Sequence, residues 1–460
     1  MLTKTKRRST DVDMTEGSIP RHLITFAIPL LIGNLFQMMY NMVDTWVVGR
    51  FVSDAAFSAV GTLGSVTTLM IGFFTGLASG AGVVISRFFG AKRYDRVRDT
   101  VNTAILMTFV LCILFTALGI ALIPVFLNIL DMPTDVRSEA TVYLSIWFSG
   151  ISGLMIYNIG SAIMRAVGDS RRPFLYLVVA AITNTVLDLL FVIVFKWGVA
   201  GVASATIIAQ GLSAALTLIS LARTESCVKI SFRGMAFHSD IMREILVIGL
   251  PAAVQMTITS FSNIFVQSYI NFFGKEVMGG WTAYTKIDQL VFLPMQSLAL
   301  ASTTFVGQNI GQNQVKRAEK GANTALFMSL GATAVLIIPI VSFSGTFVGI
   351  FNTNPDIISY GTLFLRCLTP FYLFWCVNQV YSGALRGVGK STAPMIIMLS
   401  SFVLFRQTYL YVVSNYISNT ILPIAMGFPA GWILSAVITI IYYKCTGLKP
   451  KEKKNKPSLA

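Results

Sequence analysis

The sequence predicts an all-α polytopic membrane protein with twelve transmembrane helices in two parallel-repeat, six-helix lobes. Three observations lead there. Hydrophobic residues make up 54% of the 460 positions and charged residues only 12%, against about a quarter charged in a soluble domain. The apolar residues gather in twelve runs of roughly the 20 residues needed to cross the hydrocarbon core. The chain also repeats itself: Ile163-Met-Arg-Ala-Val-Gly-Asp-Ser-Arg-Arg-Pro173 reads against Ala384-Leu-Arg-Gly-Val-Gly-Lys-Ser-Thr-Ala-Pro394. The step from Gly168 to Gly389 also pairs Gly90 with Gly311 and Asn102-Thr-Ala with Asn323-Thr-Ala. One residue of drift brings Pro29 onto Pro251 and Asn41 onto Asn263.

Taken in order, the first six spans fall at about 23–52, 55–86, 100–128, 139–165, 173–195 and 198–222. The second six fall at about 243–273, 278–309, 321–350, 358–386, 392–414 and 419–444. The first and seventh carry the twin prolines Pro29 and Pro251. The second carries Gly72-x3-Gly76-x3-Gly80, a spacing that lets a neighbouring backbone approach closely. Six crossings is an even number, so both halves enter from the same side and the repeat is parallel. The expected organisation is an N-terminal segment 1–22, an N-lobe 23–222, a linker 223–242, a C-lobe 243–444 and a basic tail 445–460. The first apolar run is too long for a cleaved leader, and none is expected.

Charge sets the orientation. Lys4, Lys6, Arg7, Arg8, Arg87, Lys92, Arg93, Arg96, Arg98, Arg165, Arg171, Arg172, Arg223, Lys229, Arg233, Arg386, Lys390 and six C-terminal lysines belong to one set of loops and termini. The opposite loops hold only Arg50, Arg137, Lys196 and Lys275. Lys/Arg excess marks the cytoplasmic face, which predicts cytoplasmic termini in a multi-pass cell-membrane protein. The net charge of +15 is thereby a topology signal, and no nucleic-acid partner is expected.

Several motifs carry no chemistry. Gly387-Val-Gly-Lys-Ser looks like a phosphate loop, but the pattern needs a glycine where Ala384 stands, and its twin replaces the lysine by Asp169. The five cysteines show no CxxC pair, and His22 and His238 are isolated. No metal site, no cofactor and no catalytic cluster is expected, so an enzyme is disfavoured.

The informative residues are ionisable groups inside spans, because a charge near the bilayer centre costs about 2.5–3.5 kcal/mol on insertion scales. They are Asp44 and Asp188 in the first half, and Lys286, Asp288, Arg366 and Arg406 in the second. None has a charged twin: Val266 stands opposite Asp44, Tyr409 opposite Asp188 and Thr185 opposite Arg406. That asymmetry favours function, with structural ion pairing across the repeat as the alternative. Asp188 lies about 22 Å along the fifth helix and Asp44 about 31 Å along the first, so both fall in the outer half of the membrane. Asn184 is one turn below Asp188 on the same face. Thr206 sits about 12 Å along the returning sixth helix. Such a set of oxygens suits either a proton or a sodium ion.

Pro29, Asn41-Met-Val-Asp44, Val48-Gly, Gly90-Ala-Lys-Arg, Arg165-Ala-Val-Gly-Asp and Asn184-Thr-Val-Leu-Asp188 together resemble multidrug and toxic compound extrusion (MATE) transporters, in the branch that includes the DNA-damage-inducible F proteins. The resemblance runs from about Gly17 to about Tyr443. It implies the MATE fold, two lobes around a cleft, with efflux of amphipathic, often cationic compounds in antiport with H⁺ or Na⁺. On this reading Asp44, Asp188, Asn184 and Thr206 couple the cation. Tyr143, Asn158, Gln255, Asn263, Lys286, Asp288 and Arg406 are further cleft candidates. The seventh helix offers Gln255 and Asn263 and no carboxylate, a departure from the members that use C-lobe acids. A monomer in the lipid bilayer is expected. The rival reading is a flippase for lipid-linked saccharides, which would draw Lys286, Arg366 and Arg406 into one cavity.

Overall fold

The computed structural model describes residues 11–130, 132–230 and 235–449. Lys4, Lys6, Arg7, Arg8, Arg233 and the tail lysines beyond Lys449 lie outside the described residues. The first half contains α1 (Ile19–Phe51), α2 (Asp54–Gly90), α3 (Tyr94–Ala121), α4 (Thr134–Ser149 and Ile151–Ala166), α5 (Arg171–Val194) and α6 (Val199–Arg223). The second contains α7 (Ser239–Asn271), α8 (Lys275–Gly311), α9 (Val315–Ser342), α10 (Pro355–Gly387), α11 (Thr392–Ile417) and α12 (Ile421–Thr446). Eleven of these are long and apolar enough to span singly, and α4 completes twelve as a pair bent by 44°. The bend falls at Gly150, between its two segments. Two spans expected to run further stop early. The chain breaks after α3 and after α9 into short helices, Ile123–Ile129 and Ser344–Gly349, which occupy twin positions in the repeat.

Each lobe has its own aromatic and aliphatic core. In the C-lobe, Trp281, Tyr284, Phe364, Tyr372 and Trp432 form the centre. In the N-lobe, Phe74, Trp147, Phe148 and Leu144 do so. Within a membrane such interiors are held by close packing rather than by expulsion of water.

The lobes meet along α2 and α7, at the end of the bundle that carries both termini (the terminal face). A Cβ on Gly76 would run into the backbone of Ala252 and Ala253, and one on Gly80 into that of Ile245 and Gly249. The expected glycine seam is therefore real over these two positions. Gly72 meets Met256 only at 3.5 Å, and Gly61 and Gly64 have nothing within 4 Å. The two helices thus part towards the far face. At the terminal face the closure is tighter still, with Gly90 against the backbone of Gln308 and Gly311 against that of Arg87. Two ion pairs cross between the lobes here, Arg87–Glu244 and Arg96–Asp240, each at 3.0 Å.

Residues 11–17 complete this closure as a non-helical segment. Val12 N donates to Val167 O at 2.8 Å in the N-lobe. Met14 N donates to Gln308 Oε1 at 2.9 Å in the C-lobe. Arg317 Nη2 donates to the carbonyls of Met14 and Gly17 at 3.2 and 2.9 Å. Ser226 Oγ, in the linker, donates to Asp11 Oδ2 at 2.7 Å.

Candidate functional site

A carboxyl pair inside the N-lobe and a cavity between the lobes make up the site. Helix α1 packs along α5, which brings the carboxyls of Asp44 and Asp188 within hydrogen-bonding reach of each other. Asp188 is fully buried and Asn184 is 2% exposed. Both oxygens of Asp188, Oδ1 of Asp44 and both amide atoms of Asn184 have no hydrogen-bond partner among the described residues. Ionised carboxylates only accept, so two of them this close call for a shared proton or a small hard cation between them. The donor set fits either. Tyr40, one turn before Asp44, and Tyr143 on α4 are electrostatic neighbours of both carboxyls. Tyr40 was not among the sequence-derived candidates, although its place four residues before Asp44 puts it on the same helical face.

The cavity encloses about 620 Å³ between the lobes. It is lined from the N-lobe by Asn34, Gln37, Tyr40, Asn158, Asn184 and Thr206, and from the C-lobe by Gln255, Met256, Asn263, Phe292 and Trp375. Tyr40 and Asn184 therefore form the wall shared by cavity and carboxyl pair. Thr206 lines the cavity with its hydroxyl donating to Val202 O at 3.0 Å. Asn158 accepts from Thr75 Oγ1 at 3.2 Å.

Four expected cleft residues lie outside the lining. Tyr143 is buried beside the carboxyl pair. Lys286 is exposed on another face of α8. Asp288 sits in the C-lobe interior, with the Tyr372 hydroxyl in hydrogen-bonding reach and Tyr372 in turn donating to Tyr284 at 3.2 Å. Arg406, 1% exposed, is an internal strut. It donates to Ser262 and, at 3.1 Å, to Asn263 Oδ1, and its guanidinium lies 5.0 and 4.7 Å from the Phe402 and Phe428 ring centroids. Arg366 is also outside and donates to Ser344 Oγ at 3.0 Å. The charged lining residues are instead Arg165 and Arg386, which the charge pattern assigns to loops. The structure places them in the last turns of α4 and α10.

Two six-helix lobes of parallel repeat around a cleft, with a buried carboxyl pair behind its wall, are the architecture of a membrane transporter. The chain belongs to the MatE family, whose model matches residues 29–190 and again 251–412, once per lobe. It is similar to the "probable multidrug resistance protein YpnP" of Bacillus subtilis, with 27% identity over 94% of this chain and 96% of that protein. It is also similar to the "probable multidrug resistance protein NorM" of Thermotoga maritima, at 27% identity over 92% of each chain. Among solved structures, a MOP superfamily transporter from Pyrococcus furiosus shares the fold with a TM-score of 0.89 at 21% identity, over 95% of this chain and 97% of that one.

Proposed function

We propose that this protein is a secondary active exporter of amphipathic small molecules, working by alternating access in antiport with H⁺ or Na⁺ bound at Asp44 and Asp188. The observation that carries the reading is the unpartnered carboxyl pair, one wall away from the interlobe cavity. Asn184 and Tyr40 stand in that wall, so a change of charge at the pair is felt in the cleft. Thr206 is an auxiliary polar group of the same wall. One elementary charge crossing 100 mV gains about 2.3 kcal/mol, enough for roughly fifty-fold accumulation.

The terminal face, where Arg87, Lys92, Arg93, Arg96 and Arg98 gather, is on this reading cytoplasmic. The cleft then opens outward. The branch containing the DNA-damage-inducible F proteins fits the placement of the acids on α1 and α5. The protein would act as a monomer, since each chain has its own cleft. The flippase reading called for Lys286, Arg366 and Arg406 in one cavity, and they stand apart. The expected preference for cationic cargo finds no carboxylate in the cavity lining among the described residues.

Proteoliposomes under an imposed proton gradient, then a sodium gradient, test the reading. Movement of a fluorescent amphipathic probe should follow one gradient and be lost in Asp188→Asn or Asp44→Asn. Gradient-driven movement that survives both substitutions in folded protein would sink the assignment of the pair.

A further inference from the structure

Arg165 and Arg386 are twins in the repeat, and both line the cavity. Among the described residues no Asp, Glu or Lys lines it with them, and neither arginine has a carboxylate partner anywhere in the fold. Arg386 is 9% exposed, and its Nη1 donates to Gln255 Oε1 at 2.9 Å. Arg165 is half-buried, with the Tyr157 phenol beside it. A buried cation such as Arg386 is costly unless an anion faces it, and the lining holds a second cation beside it and no anion among the described residues.

Their position is the closed end of the cleft. Ser86 and Thr304 line the same floor, where Gly307 of α8 abuts Ser86 of α2. Eleven residues earlier on α8 and α10 come Phe292 (before Thr303) and Trp375 (before Arg386), about 16 Å higher along each helix. Their ring centroids are 6.1 Å apart. The cavity is thus polar and cationic at its floor and aromatic above.

We propose that the cleft binds amphipathic anions. The two guanidinium forks take a phosphate-type head at the floor, and an aromatic or apolar body rests on Phe292 and Trp375. Planar guanidinium groups match phosphate oxygens two at a time. A cationic head in the same place would meet two like charges. The inference deepens the exporter reading by naming its cargo class, and it rests on the cleft being the cargo site.

The test is binding to the purified full-length protein, read separately from transport. Flavin mononucleotide and riboflavin have the same aromatic body and differ by one phosphate. The phosphate form should bind about tenfold or more tightly, the scale of a hydrogen bond to a charged group. Arg165→Gln and Arg386→Gln should each narrow the gap in affinity between the two flavins. Geranyl pyrophosphate against geraniol, in lipid nanodiscs, asks the same question of a membrane-borne head. Arginine-dependent preference confined to the prenyl pair would assign the site to a lipid phosphate, and confined to the flavins to a soluble one. Equal affinity within both matched pairs in the wild type would overturn the proposal, whether or not the variants fold. So would full phosphate preference in a folded double variant. Loss of gradient-driven movement with binding intact would strike only the exporter reading.

Discussion

Gln308 holds both lobes through one amide: Oε1 accepts from Met14 N at 2.9 Å, and Nε2 donates to Ala166 O at 2.9 Å. Met14 itself is 1% exposed and packs with Leu23, Phe26 and Leu298. Next to it, Asn309 Nδ2 donates to Met14 O at 3.2 Å. The segment at residues 11–17 is therefore part of the closure between lobes and has to leave its place whenever the terminal face opens. Gln308→Leu strands the Met14 N–H and the Ala166 carbonyl, at a cost of about 1–3 kcal/mol to the closed arrangement. A cysteine in place of Val167, fully buried beneath the segment where its carbonyl accepts from Val12 N, should then be alkylated several-fold faster. An unchanged alkylation rate would mean the amide does not restrain the lobes.

The glycine seam predicts a position-specific pattern. Gly76→Leu and Gly80→Val force side chains into the α7 backbone, and overpacking of this kind costs roughly 1–3 kcal/mol or more. The thermal midpoint in detergent should fall, and the lobes should separate at this line. Gly64→Ala, with open space around it, should leave the midpoint where it was. Equal effects at positions 64 and 76 would count against the divergence of α2 from α7.

The ion pair Arg87–Glu244 has both side chains about a third exposed, at 28% and 30%, so it contributes no more than about 1 kcal/mol. Its interest is direction. Arg87→Glu places two acids at the interlobe line and should speed labelling of the same buried Val167→Cys reporter. The exchanged double variant Arg87→Glu/Glu244→Arg should bring the rate back. Failure of the exchange to restore it would assign the effect to Arg87 alone.

Much of the fold was legible because insertion in a membrane forces twelve long apolar runs and because the repeat is still visible. Asp44 and Asp188 stand out for the same reason, as carboxylates inside apolar runs, and the structure brings the two together. Arg165 and Arg386 were not, since the last turn of a spanning helix looks like the loop that follows it. Lys/Arg counting for orientation absorbed them. Looking for charges without twins also drew attention away from the one charged pair that the repeat preserves inside the cleft. The break after α9 was hidden because Ile340 to Ile350 carries no charged residue through the turn at Phe343. Arg406 and Asp288, expected in the cleft, do not line the cavity, because hydropathy reports depth along a helix and not the face that is turned inward.

Arg406 allows the sharpest separation of strut from site. Its guanidinium ties α11 to α7 through Ser262 and Asn263 and lies between two aromatic rings, while Ser262 Oγ donates to Phe402 O at 2.6 Å. Arg406→Ala removes a large buried side chain together with these donors, and losses of about 2–5 kcal/mol attend such truncations. Arg406→Lys keeps the charge but loses the planar fork that meets two acceptors and two ring faces at once. The midpoint of thermal unfolding should fall in both variants, further for alanine. Flavin mononucleotide binding per folded molecule should stay within about twofold of wild type, because Arg406 does not line the cavity. A well-folded Arg406→Lys protein with tenfold weaker binding would move Arg406 back into the cleft and reopen the assignment of its floor to Arg165 and Arg386.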